Sequence, residues 1–379
     1  MLKILETHEI VGVVAFFLIV QFTGFLIAYM VGANAFQSII IDRLLSPYSV
    51  YLSYGIDALL FCIIALLLIN RLRKHESDVW NHRFFKFFEA LVLTATSFFA
   101  FLFLFTAILP PALQSFYFVV SLLSAIFIVG VRERTHWARN TATAISSVGV
   151  GLVLGFYFSF VYVLVILAII SVYDYISVFI TKTMIKLANT LVNEDVAFMI
   201  SEEDFEAIPP DRVSIGEIAS YTKELKETHK DTDPVFKKVL EEGQIPTISQ
   251  IQLGEGDLGL PLMAVVSAYF TYTYAFVPLV VIIGSAFGLL ITILFLKRYR
   301  RPLPAIPPLF SLICIASGAV LWFTNYIPGY DAQALIALGI FIVTLGMAVQ
   351  LYMKNMVQKR IAEEQAKKKE KKAKYKIGL

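Results

Sequence analysis

Residues 140–180 read NTATAISSVGVGLVLGFYFSFVYVLVILAIISVYDYISVFI, 41 residues whose one formal charge is Asp174. As a single helix they would extend about 60 Å at 1.5 Å per residue, twice the ~30 Å hydrocarbon core of a bilayer, so the run must fold back once. Gly149, Gly151 and Gly155 lie near the expected break, and the spacing of Gly151 and Gly155 also suits the seat of a neighbouring helix. Leu258 to Leu296, a second uncharged run, poses the same problem, with Pro278 near its middle marking a reversal. An ionised carboxylate at such depth costs several kcal/mol, about 3 on insertion scales and more in simulation. Asp174, and Asp257 in QLGEGDLGLPLMAVV at the head of the second run, must therefore line a polar cavity.

The rest of the chain fits a polytopic, all-α membrane protein. Of 379 residues, 58% are apolar and 16% charged, against about 25% charged in a soluble domain. Ten spans are expected: Ile10–Val31, Val50–Asn70, Ala90–Leu109, Ser115–Val131, Asn140 to about Phe156, Tyr157–Ile180, Gly256–Tyr272, Tyr274–Leu296, Ala305–Phe323 and Ala332–Met353. Charge checks the count. With the N-terminus inside, 23 Lys and Arg fall on short inner segments and the tail, Arg43 alone falls outside, and eight lie in a long inner loop. Nine or eleven spans would move whole clusters across the membrane. The first apolar run, about 22 residues, exceeds the 7–15 of a signal peptide, so despite Ala33-Asn34-Ala35 it reads as a retained helix.

Five parts follow: a six-helix portion, residues 1–180; an inner loop, 181–253; a three-helix portion, 254–330; an additional span, 331–353; and a basic tail, 354–379. The loop holds 14 acidic and 8 basic residues and reads as a solvated linker with short amphipathic helices at 215–227 and 234–243. The tail reads as a topological anchor that also contacts anionic lipid. Cys62 and Cys314 sit in apolar runs as packing residues, and His8, His75, His82, His136 and His229 form no spaced pair, so no metal or cofactor is expected. No repeat or phosphate-binding loop appears, and no nucleic-acid partner is expected. Asp57 reads as a hydrogen-bonded structural acid, and Glu89 as a side chain that snorkels from an inner helix end.

Two carboxyls in a membrane can share one proton and activate a water, one as base and the other as acid. The sixth span runs inward and puts Asp174 six residues, about 9 Å, from its inner end; the seventh starts there with Asp257 in its first turns. Both therefore reach one layer of the inner leaflet. Gly254 and Gly256 remove side chains at the helix mouth, so that a partner helix or an extended substrate can approach the backbone. The same acids would also serve an ion channel or proton-coupled transporter as a relay, a reading that composition alone leaves open.

Tyr173-Asp174 in ISVYD, Gly254-x-Gly256-Asp257 in LGEGD and Leu303-Pro304-Ala305-Ile306-Pro307 resemble the YD, GxGD and PAL motifs of the presenilin and signal peptide peptidase aspartyl proteases, in the same order and on the sixth, seventh and ninth spans. Pro111-Ala112-Leu113, on the outer side, is a chance PAL. The resemblance covers about residues 10–323. It implies a nine-helix core, six plus three, with a tenth helix added; a protease that cuts transmembrane helical substrates; Asp174 and Asp257 as the catalytic pair; and Tyr173, Gly254, Gly256, Pro304, Ala305 and Ile306 as residues that shape the site. Tyr173 would bond to the pair or pack beside it. Two positions depart from the pattern. Ile306 replaces the usual leucine, and Glu255 stands where the family carries an apolar residue, either pointing into inner-side water or perturbing the pair's proton affinity. Prepilin-type peptidases share a GxGD but lack the YD and PAL partners. The near absence of an N-terminal extension points to a compact prokaryotic member, archaeal in type.

Overall fold

The computed structural model describes residues 2–36, 78–110, 113–132, 134–181, 199–208, 245–272, 276–299, 304–324, 329 and 331–349. The second expected span with Asp57, both expected loop helices and the basic tail lie outside them. Among the described residues are nine helices: α1 (Leu2–Phe36), α2 (Asp78–Ile108), α3 (Gln114–Val131), α4 (His136–Tyr157), α5 (Phe160–Tyr175), α6 (Glu255–Thr271), α7 (Phe276–Tyr299), α8 (Ile306–Phe323) and α9 (Asp331–Val349). Seven contain a stretch long and apolar enough to cross a bilayer; α3 contributes a shorter one, Phe116–Val131, and α6 has 17 residues. The chain is a multi-pass membrane protein, nearly all helical where it is described.

The first run does fold back, within two residues of the expected boundary at Phe156–Tyr157 and just after Gly155. Helix α4 ends at Tyr157, Phe158 and Ser159 are extended, and α5 starts at Phe160. Backbone groups freed at a corner within the membrane need partners there, and α6 supplies them: Ser267 Oγ donates to the Phe158 carbonyl at 2.8 Å, and the Phe160 amide donates to Thr271 Oγ1 at 3.0 Å. The glycines make helix contacts. A Cβ on Gly149 would stand 1.9 Å from the Thr96 carbonyl oxygen of α2, while Gly151 and Gly155 receive Leu262 and Val266 of α6. Small residues four apart let α4 and α6 close on one another, and these form the most extensive helix pair. Pro278 lies just past the second reversal: it is the third residue of α7, where a missing amide hydrogen leaves no helical bond unmade.

Helix α6 is the centre of the molecule. Leu258, Gly259 and Pro261 through Ala268 are all buried, as expected for a helix apolar on every side and surrounded by others. Helices α1, α4, α5 and α7 pack around it, and α8 touches it. Its 17 residues span about 26 Å, less than the hydrocarbon thickness.

Two features here differ from the sequence reading. In the loop, outside the stretches expected to be short helices, two strands not foreseen from the sequence pair: β1 (Met199–Ile208) runs antiparallel to β2 (Ile245–Gly254), with Met199 opposite Gly254 and Ile208 opposite Ile245. Strand β2 then runs without a break into α6. Glu89 does not snorkel; it is 1% exposed and pairs with buried Arg132 at 3.4 Å. A lone buried charge there would cost several kcal/mol, so the pair joins α2 to the end of α3.

Candidate active site

Asp174 lies in the last turn of α5 and is 7% exposed. Directly after it the helix widens into a single π-helical turn, Ile176–Ile180, and Ser177 Oγ donates to the Asp174 carbonyl at 3.1 Å. Its carboxylate faces the start of α8. The Ile306 amide donates to Asp174 Oδ2 at 3.3 Å, and the Ala305 amide bonds to the same carboxylate. Local sequence explains the convergence. A helix start normally leaves four amides without intrahelical partners, but Pro307 and Pro308 have none to offer. The two that remain, from Ala305 and Ile306, both go to Asp174. Pro304 is buried beside them.

Asp257 is the third residue of α6 and folds back on its own helix start, where the Gly254 amide donates to Asp257 Oδ2 at 3.3 Å. A Cβ on Gly254 would sit 3.3 Å from that oxygen, tighter than ordinary contact, so glycine leaves the carboxyl room. Gly256 is exposed, with open space where a side chain would be. The two carboxyls interact electrostatically across the contact between α5 and α6. Three helices thus meet at the pair: α5 and α6 each bring one acid, and α8 brings amides.

Tyr173 does not join them. It is 57% exposed on the outer face of α5, whereas its neighbour Tyr175 is buried, its hydroxyl donating to the Ile342 carbonyl of α9 at 3.4 Å. Gly346 of α9 leaves space for that phenol, since a Cβ there would meet Tyr175 Oη at 1.9 Å. The additional helix therefore backs the residue after Asp174, and at Gly318 and Gly339 it closes on α8. Glu255 turns to α4 rather than to inner-side water: Ser146 Oγ donates to its Oε1. Gln21 of α1, which no motif marked, is fully buried, and its Nε2 donates to the Leu258 carbonyl at 2.9 Å, next to Asp257. An amide in the middle of an uncharged span was the available signal for it.

Residues 14–323 match the family model described as signal-peptide peptidase, presenilin aspartyl protease. The chain belongs to this family, and it is an intramembrane aspartic endopeptidase. Solved structures similar to it include a presenilin family intramembrane aspartate protease in two crystal forms. In the C222 form the identity is 20%, with 82% of this chain and 99% of that one covered and a TM-score of 0.48; in the P2 form the identity is 22%, with 82% and 97% covered and a TM-score of 0.47. No curated protein matches the chain.

Proposed function

We propose that Asp174 and Asp257 are the catalytic pair and that they hydrolyse peptide bonds within transmembrane helices. One observation carries the reading: Asp174 in the last turn of α5 and Asp257 in the first turn of α6 stand on helices that pack together, in a chain whose apolar runs hold few charges. Each carboxyl is held by backbone amides, Asp174 by Ile306 and Ala305 and Asp257 by Gly254. One carboxylate takes the proton of the attacking water while the protonated partner donates to the carbonyl oxygen; the roles reverse as the amine leaves. Two carboxyls that share one water do not both ionise, and such a pair titrates as a unit. Open space at Gly256 admits an extended backbone. A peptide mimic with a hydroxyl in place of the scissile carbonyl is expected to inhibit competitively and to lose its affinity in Asp257→Asn. Unchanged affinity would remove the pair from the reaction.

The N-terminus, the loop at 181–253 and the C-terminus are cytoplasmic in this reading, because of the 23-to-1 distribution of cations. Cysteines introduced at 220 and 370 are expected to resist a membrane-impermeant maleimide in intact cells and to react in inverted vesicles. Labelling from outside would reject the topology.

Substrate direction follows from it. With α5 running inward to Asp174, as in presenilins and opposite to signal peptide peptidases, spans with an outside N-terminus are preferred. A helix shields its peptide bonds with internal hydrogen bonds, so the substrate unwinds before it is cut. Matched single-span substrates inserted in both directions are expected to differ at least tenfold in rate; equal cleavage would reject the preference.

A further inference from the structure

Helix α6 brings a second acid into the protein two residues before Asp257, and that acid does not face the pair. Ser146 Oγ of α4 donates to Glu255 Oε1, and Ser146 itself shares a hydrogen bond with Thr96 Oγ1 of α2. Ser147 Oγ lies 3.4 Å from the Glu255 backbone carbonyl, but its hydrogen goes to the Thr143 carbonyl of its own helix at 2.9 Å. From the other side, Gln21 of α1 holds the Leu258 carbonyl. The residues flanking Asp257 are thus fixed to α4 and α1, and through Ser146 to α2. Midway along α6 the contacts are apolar ones into Gly151 and Gly155, and hydrogen bonds from Ser267 and Thr271 hold its far end, about three turns away, so the first turn is held against sliding and rotation by contacts of its own. Directional hydrogen bonds at the first turn remove both freedoms.

We infer that Glu255 is a positioning residue: its tether through Ser146 to Thr96 sets the rotation and depth of the first turn of α6, and so the place of the Asp257 carboxyl. The inference rests on the assignment of Asp257 to catalysis. A tether that holds a reacting group acts on the rate of the bound complex, because displacement by about 1 Å costs on the order of 100-fold. A bland packing role would act on stability alone, and a substrate contact would act on KM.

The test compares Glu255→Leu, Glu255→Gln, Ser146→Ala and the double variant Glu255→Leu/Ser146→Ala in the full-length protein, reading kcat, KM and melting temperature. Glu255→Leu and Ser146→Ala are each expected to lower kcat by roughly 10- to 100-fold with KM within about twofold. Glu255→Gln, which still accepts from Ser146, recovers most of the loss, and the double variant is no worse than Glu255→Leu because one tether has been cut twice. Unchanged kcat in Ser146→Ala, a rise in KM alone, additive losses, or a loss in Glu255→Gln equal to that in Glu255→Leu would each overturn the inference. Ser146→Ala keeps the carboxyl, so the question is answered even where Glu255→Leu does not fold. Asp257→Asn, measured alongside, tests the underlying assignment separately: its cleavage would refute the catalytic pair, whereas coupling between Ser146 and Glu255 is read from their own double cycle.

Discussion

Asp174→Asn and Asp257→Asn are each expected to abolish cleavage, by about 10⁴-fold or more, while leaving the protein folded and in the membrane. Asparagine keeps the size and the hydrogen-bond acceptor that Ile306 or Gly254 uses, but it neither takes up nor gives back a proton. Losing both acids costs little more than losing one, since residues that act as a unit are not additive. Activity of the wild type follows a bell in pH set by two apparent pKa values that belong to the pair. A proton or cation relay would behave otherwise, with transport rather than hydrolysis sensitive to these residues. Substrate cleavage, product mass and melting temperature, measured on the same purified preparations, separate loss of chemistry from loss of structure. Robust proteolysis by either single variant would remove the two-acid mechanism.

The second large effect is structural. Gly149→Val is expected to prevent accumulation of folded protein, because the new Cβ would lie 1.9 Å from the Thr96 carbonyl oxygen and 3.2 Å from the Ala100 amide nitrogen, both backbone atoms that no rotamer change can move aside. Helices α2 and α4 would have to separate, opening the seam that holds Ser146 and, through α4, the seat of α6. Overpacking typically costs 1–3 kcal/mol, and a backbone clash lies at or above the top of that range. Gly130→Ala in α3 is the control: nothing lies within 4 Å of its Cβ position, and alanine favours a helix by about 1 kcal/mol over glycine. Size-exclusion profiles and melting curves in detergent read the difference. A well-folded Gly149→Val protein would show that the helices are not so close.

These outcomes also bear on how far the sequence alone could be read. The 3.6-residue helix and the thickness of a bilayer decide span number, which is why the folded runs at 140–180 and 258–296 were legible as pairs. Where each run turns was legible to within about two residues, at Phe156–Tyr157 and Tyr272–Tyr274, against helix ends at Tyr157 and Thr271; what holds the first turn was not. Glycines and Pro278 lie near the turns, but the first turn is held where α6 offers Ser267 and Thr271 to the freed backbone of Phe158 and Phe160, partners far away in sequence. Asp174 and Asp257 stood out because charge is rare in apolar runs. Tyr173 shares a motif with Asp174, yet on a helix adjacent residues point about 100° apart, and burial of one leaves the other outside. Glu255 was visible as a departure, but its partners on α4 and α2 are products of tertiary packing. Strands β1 and β2 escaped because Glu202, Glu203, Asp204 and Glu206 break the apolar alternation of one and Pro246 interrupts the other.

The most direct measurement is mass spectrometry of the products formed in liposomes from a single-span substrate with an outside N-terminus, by wild-type protein and by Asp174→Asn and Asp257→Asn. Wild type is predicted to yield two fragments whose new ends lie inside the apolar span, and neither variant yields them. New ends confined to the flanking, water-exposed residues, or the same intramembrane fragments from either variant in a preparation free of other proteases, would contradict catalysis by this pair within the membrane.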